Sequence, residues 1–243
     1  MKRFWTDATF VASEQDGRPG YAILLDGKPV RIPGGDTLHV RSSPLARAIS
    51  DEWRSAGSAK GGEFEADDTP LTRLAGTAQV RIAPDPRPTV EALARYAETD
   101  LLCYRAAEPV ALVERQAEAW QPWLDWAERT FDAPLAVTSG IVHVTQNPRS
   151  IHALRAALGS FDAAVLAGLG VLVPSLGSLV LGLAIVEGQL DAAQAHRLGA
   201  LDELFQAELW GQDAEAARRL AAVAADIAVA ARFIALARSE ASA

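Results

Sequence analysis

The chain has one cysteine, Cys103, and four histidines. A lone thiol excludes a disulfide framework and a cysteine metal cluster, and it fits a reducing compartment. His39, His143, His152 and His196 stand at no metal-ligand spacing, so each reads as a surface or core-edge side chain. Positive charge is short too: 23 Lys and Arg against 31 Asp and Glu leave a net charge of −8 and a pI near 5.1. That balance speaks against nucleic acid, whose readers carry a basic stripe. Glycine-rich phosphate loops are missing, with neither GxxxxGKS/T nor GxGxxG between a strand and a helix. There is no GxSxG elbow, because Ser139–Gly140 lacks the first glycine. The opening residues MKRFWTDATF hold no apolar signal core and no Arg/Ser-rich presequence, so the expectation is a cytoplasmic protein or an already processed form.

What the chain does have is apolar residues, 49% of the total, and one long uncharged run over residues 163–186. A run of that length is a membrane-span candidate. Pro174 in its middle, the diluting Gly168, Gly170, Gly177 and Gly182, and flanks of Asp162 and Glu187 instead of Lys or Arg argue against insertion. The reading is two short helices at the buried centre of a bundle, with a corner at Val173–Pro174–Ser175 and Pro174 opening the second helix. Small residues there let neighbouring helices approach closely.

Before that run the pattern changes twice. Up to about Val40 it alternates, with a hairpin signal at Asp26–Gly27 and Pro29 marking an edge. Ser43–Pro44 opens a helix that carries Leu45, Ala48, Ile49, Glu52 and Trp53 and stops at Gly57. Residues 69–80 repeat at helical spacing. The proline-rich stretch 83–88 is the expected boundary, giving a β-rich domain over 1–85 and a helical domain over 86–243. Helices are expected over 89–104, 109–131, 148–158, 191–210 and 213–238. Residues 135–145 are expected to be extended, as a small hairpin or a crossing segment. The fold class is α+β: a small N-terminal antiparallel β-rich domain, then a larger C-terminal orthogonal α-helical bundle.

Two constellations stand out. Trp120, Trp123 and Trp126 recur every third position; aromatics of this kind fill cores, and they also serve as interface anchors. In residues 201–211, Leu201, Leu204, Phe205 and Leu209 are expected to face inward, leaving Asp202, Glu203 and Gln206 together on another face. Cys103 reads as buried core. None of this makes a catalytic site.

Several segments together resemble the ATP-twelve family, chaperones that hold the free α subunit of the F-type ATP synthase. They are residues 2–4, 25–30, 48–53, 69–74, 96–105, 112–116, 140–144, 177–181 and 201–203, with Trp210–Gly211. The order spans essentially the whole chain. One departure is Gly76–Thr77, where the family pattern implies Asn–Thr and a side-chain hydrogen bond at a turn. The resemblance implies a transient complex with the α subunit, released as the β subunit arrives, and no nucleotide hydrolysis. It implies the same two domains, and a bacterial cytoplasm or, for a processed homologue, the mitochondrial matrix. We expect no catalytic residue, cofactor, metal, nucleic acid or membrane insertion, and a monomer. Glu203, Asp202 and Gln206 are the expected partner-binding residues; Trp53, Glu52, Arg73 and Asp100 the expected structural ones. The competing reading is a ligand-binding or hydrolytic enzyme using Glu203, His143 and Asp100 in an inter-domain cleft.

Overall fold

A computed structural model describes residues 1–140, 142–211 and 213–239. Ile141, inside the 140–144 segment, and the end of the chain past 239 lie outside the described residues. Contacts group the chain into two units: Met1–Pro86 with residues 162–168 and the segment from Arg232, and Arg87–Phe161 with residues 169–231.

In the first unit β1 (Ala8–Gln15) and β2 (Arg18–Leu25) pair antiparallel through an Asp16–Gly17 turn. A second turn at Asp26–Gly27 leads to β3 (Lys28–Pro29), paired with β2. In both turns Asp and Gly take positive φ, 53° and 72° in the first, 47° and 79° in the second. This is the backbone of type I′ hairpins. β4 (His39–Val40) joins the same edge of β2 further along. Helix α1 (Ser43–Ser55) lies on the sheet, burying Leu45, Ala48 and Ile49. Its cap is Ser42, one residue before the expected Ser43, with Oγ accepting from the Leu45 N–H.

Helix α2 (Pro70–Thr77) follows, running into a π turn over Ala78–Ile82. Glu52 fastens α2 to α1. Its carboxylate accepts from the N–H groups of Leu71 (2.7 Å) and Thr72 (3.0 Å) and from the Thr72 hydroxyl (2.8 Å). Those are the orphan donors of a helix N-terminus, which a carboxylate satisfies best. Burial nevertheless raises the Glu52 pKa against those bonds. Trp53, half-buried, donates its indole N–H to the Thr72 hydroxyl at 2.9 Å. Its ring stacks edge-on against Trp5 and Phe64, and the Trp5 indole donates to the Trp53 carbonyl. Arg73 is exposed and pairs with Asp67, a surface contact of small energetic weight. Gly76 sits inside α2 against Ile32, not at a turn.

The second unit opens with α3 (Arg87–Ala94), which gives way to two 3-10 turns where one helix to 104 was expected. Asp100 causes the second turn: its Oδ1 accepts from the Leu102 N–H at 3.1 Å. β5 (Tyr104–Arg105) then pairs in parallel with β6 (Thr138–Ser139), so within the 135–145 stretch Thr138–Ser139 is a crossing strand. Between them runs α4 (Val110–Phe131), and after them α5 (Pro148–Gly159).

The apolar run folds as α6 (Ala163–Leu176) and α7 (Leu179–Val186). The corner falls one turn later than expected. Pro174 stays inside α6, and Gly177, at φ 62°, with Ser178 makes the break. Glycine takes that backbone with no Cβ penalty, and the Ser178 Oγ caps α7 by accepting from Leu181. Leu169, Leu172, Leu179 and Leu183 are fully buried. Close approach depends on Gly182, where an added Cβ would lie 2.9 Å from Val173 Cγ2.

The expected 191–210 helix is two, α8 (Ala192–Gly199) and α9 (Leu201–Trp210), broken at Ala200. The last helix is α10 (Ala214–Arg238), capped by Asp213. Among the described residues α10 is the helix long and apolar enough to cross a membrane, with 28% of its apolar window buried.

Candidate partner-binding face

Helix α9 lies against α4 and α8. Leu201 and Phe205 are buried and Leu204 is half-buried. Leu209, assigned inward from the sequence, is 58% exposed. The stripe is therefore 201, 204 and 205, and the helix outruns its packing in the final turn.

The outer side of α9 carries Asp202, Gln206 and Trp210, four residues apart and so in one row along the helix, with Glu203 beside them. The three candidates thus share a face, but their side chains differ in freedom. Asp202 is half-buried and accepts from Gln116 Nε2 at 2.7 Å. Gln116 is itself buried, and its Oε1 accepts from the Ala106 N–H at 2.7 Å. Its carbonyl takes a hydrogen bond from Arg105, whose guanidinium also lies over the Trp120 ring. Asp202 is thereby oriented by a buried amide. Glu203 is exposed and pairs with Arg219 of α10 at 2.8 Å. Gln206 is exposed. Trp210 is 78% exposed, an unusual place for so large an apolar ring. Its spacing from Gln206 was visible in the sequence, but its exposure was not.

The tryptophan helix divides by depth. Trp120 is fully buried and donates to the Leu198 carbonyl at 3.0 Å. Trp123 and Trp126 are half-buried and stack edge-to-face at 6.3 Å. Trp123 lines an open trough of about 450 Å³ between α4, α8 and α9, with Leu198, Leu201 and Leu204 in its wall and Arg115, Arg197 and Glu208 at its rim.

The groups of the enzyme reading are engaged separately. Asp100 is fully buried; besides Leu102 it accepts from the Val180 N–H at 3.1 Å, holding the start of α7. Burial raises its pKa to about 6, against hydrogen bonds that lower it. His143 is exposed and its Nδ1 faces the Tyr104 hydroxyl at 3.1 Å. Glu203 meets Arg219. Burial pushes the Cys103 thiol up to about 12, far from the thiolate a nucleophile needs. Among the described residues no cluster of three or more His, Cys, Asp or Glu is placed to hold a metal.

Known proteins share this architecture. Residues 2–128 match the family model described as ATP12 chaperone protein. Over 223 residues the chain is 25% identical to the mitochondrial protein atp12 of Schizosaccharomyces pombe, covering 87% of this chain and 74% of that one. The crystal structure of Atp12 from Paracoccus denitrificans superposes with a TM-score of 0.89 at 40% identity, over 98% of both chains. The Atu1473 protein of Agrobacterium tumefaciens gives the same TM-score at 36% identity, over 97% of this chain and 85% of that one. With half the chain under the family model and near full-length matches to two bacterial structures, the chain belongs to the ATP12 family of chaperones in ATP synthase assembly.

Proposed function

We propose that the protein holds the unassembled α subunit of the F-type ATP synthase, keeps it from aggregating, and yields it when the β subunit arrives. The observation that carries this reading is the outer face of α9, where Asp202, Glu203 and Gln206 share one side of the helix with the exposed ring of Trp210. Interfaces combine an aromatic anchor with oriented polar groups in this way. Asp202 is pre-set by Gln116, so little order is lost when it meets a donor. Glu203 can exchange Arg219 for a cation of the partner, because both lie in solvent. A carboxylate pair on this face favours a basic or amide-rich surface of the α subunit. The chaperone works as a monomer, by masking surface and without hydrolysing nucleotide, in the bacterial cytoplasm.

The test is co-expression with a tagged α subunit, followed by pull-down with and without the β subunit. The α subunit is expected to retain the chaperone when β is absent and to lose it when β is present. Recovery of α without the chaperone in both cases contradicts the proposal.

A further inference from the structure

The trough between α4, α8 and α9 has a composition that selects what enters it. Its wall is apolar: Ala119 and Trp123 come from α4, Leu198 from α8 and Leu204 from α9. Its rim is not. Arg115 gives one nitrogen, Nη1, to both oxygens of Glu208, at 2.8 and 2.9 Å, while its guanidinium lies 5.0 Å over the Phe205 ring. The other nitrogens of Arg115 are left for a second acceptor. Arg197, exposed on α8, has no hydrogen bond or ion pair among the described residues. Two guanidiniums against one carboxylate leave the rim one charge positive in a chain whose net charge is −8.

We propose that this trough seats one large apolar side chain of the α subunit, with an adjacent Asp or Glu of the same segment received by Arg197 and Arg115. The inference rests on the function proposed above and adds a second contact of opposite charge preference. The outer face of α9 favours a basic surface; its trough side favours an acidic, apolar segment. The volume of about 450 Å³ admits a Leu- or Phe-sized group with its backbone lying across the mouth. An apolar wall supplies the burial, and a cation at its edge decides which neighbour is tolerated. A guanidinium beside desolvated apolar surface gains more from a carboxylate than it would in open water. A basic segment is repelled.

Three variants of the full chain test this by titration against purified α subunit, each checked first by thermal melting. Ala119→Phe fills the trough, Arg197→Glu reverses the free rim charge, and Arg197→Lys retains it. Ala119→Phe and Arg197→Glu are expected to weaken α binding tenfold or more, and Arg197→Lys less than threefold. The Arg197→Glu loss is expected to shrink at high salt. Equal binding by wild type, Ala119→Phe and Arg197→Glu overturns the trough and leaves the chaperone function standing. Should Ala119→Phe fail to fold, Arg197→Glu decides alone, since its side chain is exposed and unpaired. A wild type that binds no α subunit overturns the function and the occupant together. A concentration-dependent dimer, seen by sedimentation and abolished by Ala119→Phe, assigns the trough to a second copy of this chain and overturns the proposal.

Discussion

Asp100 shows how one carboxylate ties a fold to pH. It closes the 3-10 turn at Leu102 and the first turn of α7 at Val180 from a fully buried position. Its pKa stands near 6, above the ordinary 3.8, because burial outweighs those bonds. The folded state therefore keeps a proton that the unfolded chain has released between about pH 4 and pH 6. Stability from this group is greatest below that window and falls as pH rises through it. Comparing chemical unfolding of wild type with Asp100→Asn, the advantage of wild type should shrink by on the order of 2 kcal/mol between pH 4.5 and pH 7.5. A pH-independent difference would show that Asp100 stays ionised throughout. Trp53 belongs to the same scale. Arg in its place removes the bond to Thr72 and the edge contacts to Trp5 and Phe64. We expect a loss of roughly 3 kcal/mol, as for other large aromatics in packed clusters, read as a lower urea midpoint. A Trp53→Arg protein that melts like wild type yet fails in assembly would make Trp53 a contact residue.

Elements were legible where the backbone itself leaves a signature. Asp26–Gly27 and the apolar run both appear in the sequence as turn and core, and the structure has them there. Boundaries set by side-chain capping were harder to read. The α6–α7 corner moved from Pro174 to Gly177–Ser178, because a proline can stay within a helix whose next turn is ended by a positive-φ glycine. The Asp100 turn and the Ala200 break have equally local causes that periodicity cannot resolve. The candidate face was partly legible: Asp202, Glu203 and Gln206 do share one side of α9. Whether Leu209 and Trp210 turn inward depends on how far α4 reaches along α9, which is a tertiary fact. Gln116, the buried amide behind Asp202, left no pattern. Packing in the core pair is testable through Gly182, whose added Cβ would press on Val173 and Leu169. Gly182→Val should cost about 1–3 kcal/mol by overpacking. An unchanged denaturation midpoint would mean that α6 and α7 yield at that crossing.

A chain with 49% apolar residues has a closed core around α6 and α7 and still leaves Leu209, Trp210 and much of α10 in solvent. Exposed apolar area beside oriented carboxylates is what a holder of an unassembled subunit needs, provided the charges choose the partner. Glu203 is the position at which the proposed function can be separated from stability, because its pair with Arg219 lies in solvent and contributes only about 0–1 kcal/mol to folding. Glu203→Lys should melt within a few degrees of wild type. The most direct measurement is light scattering by free α subunit diluted from denaturant with an equimolar amount of either protein. Wild type is expected to suppress the scattering and Glu203→Lys to leave most of it, with β subunit afterwards displacing the wild-type chaperone. Undiminished scattering with wild type, or full suppression by a normally folded Glu203→Lys protein, would contradict the account.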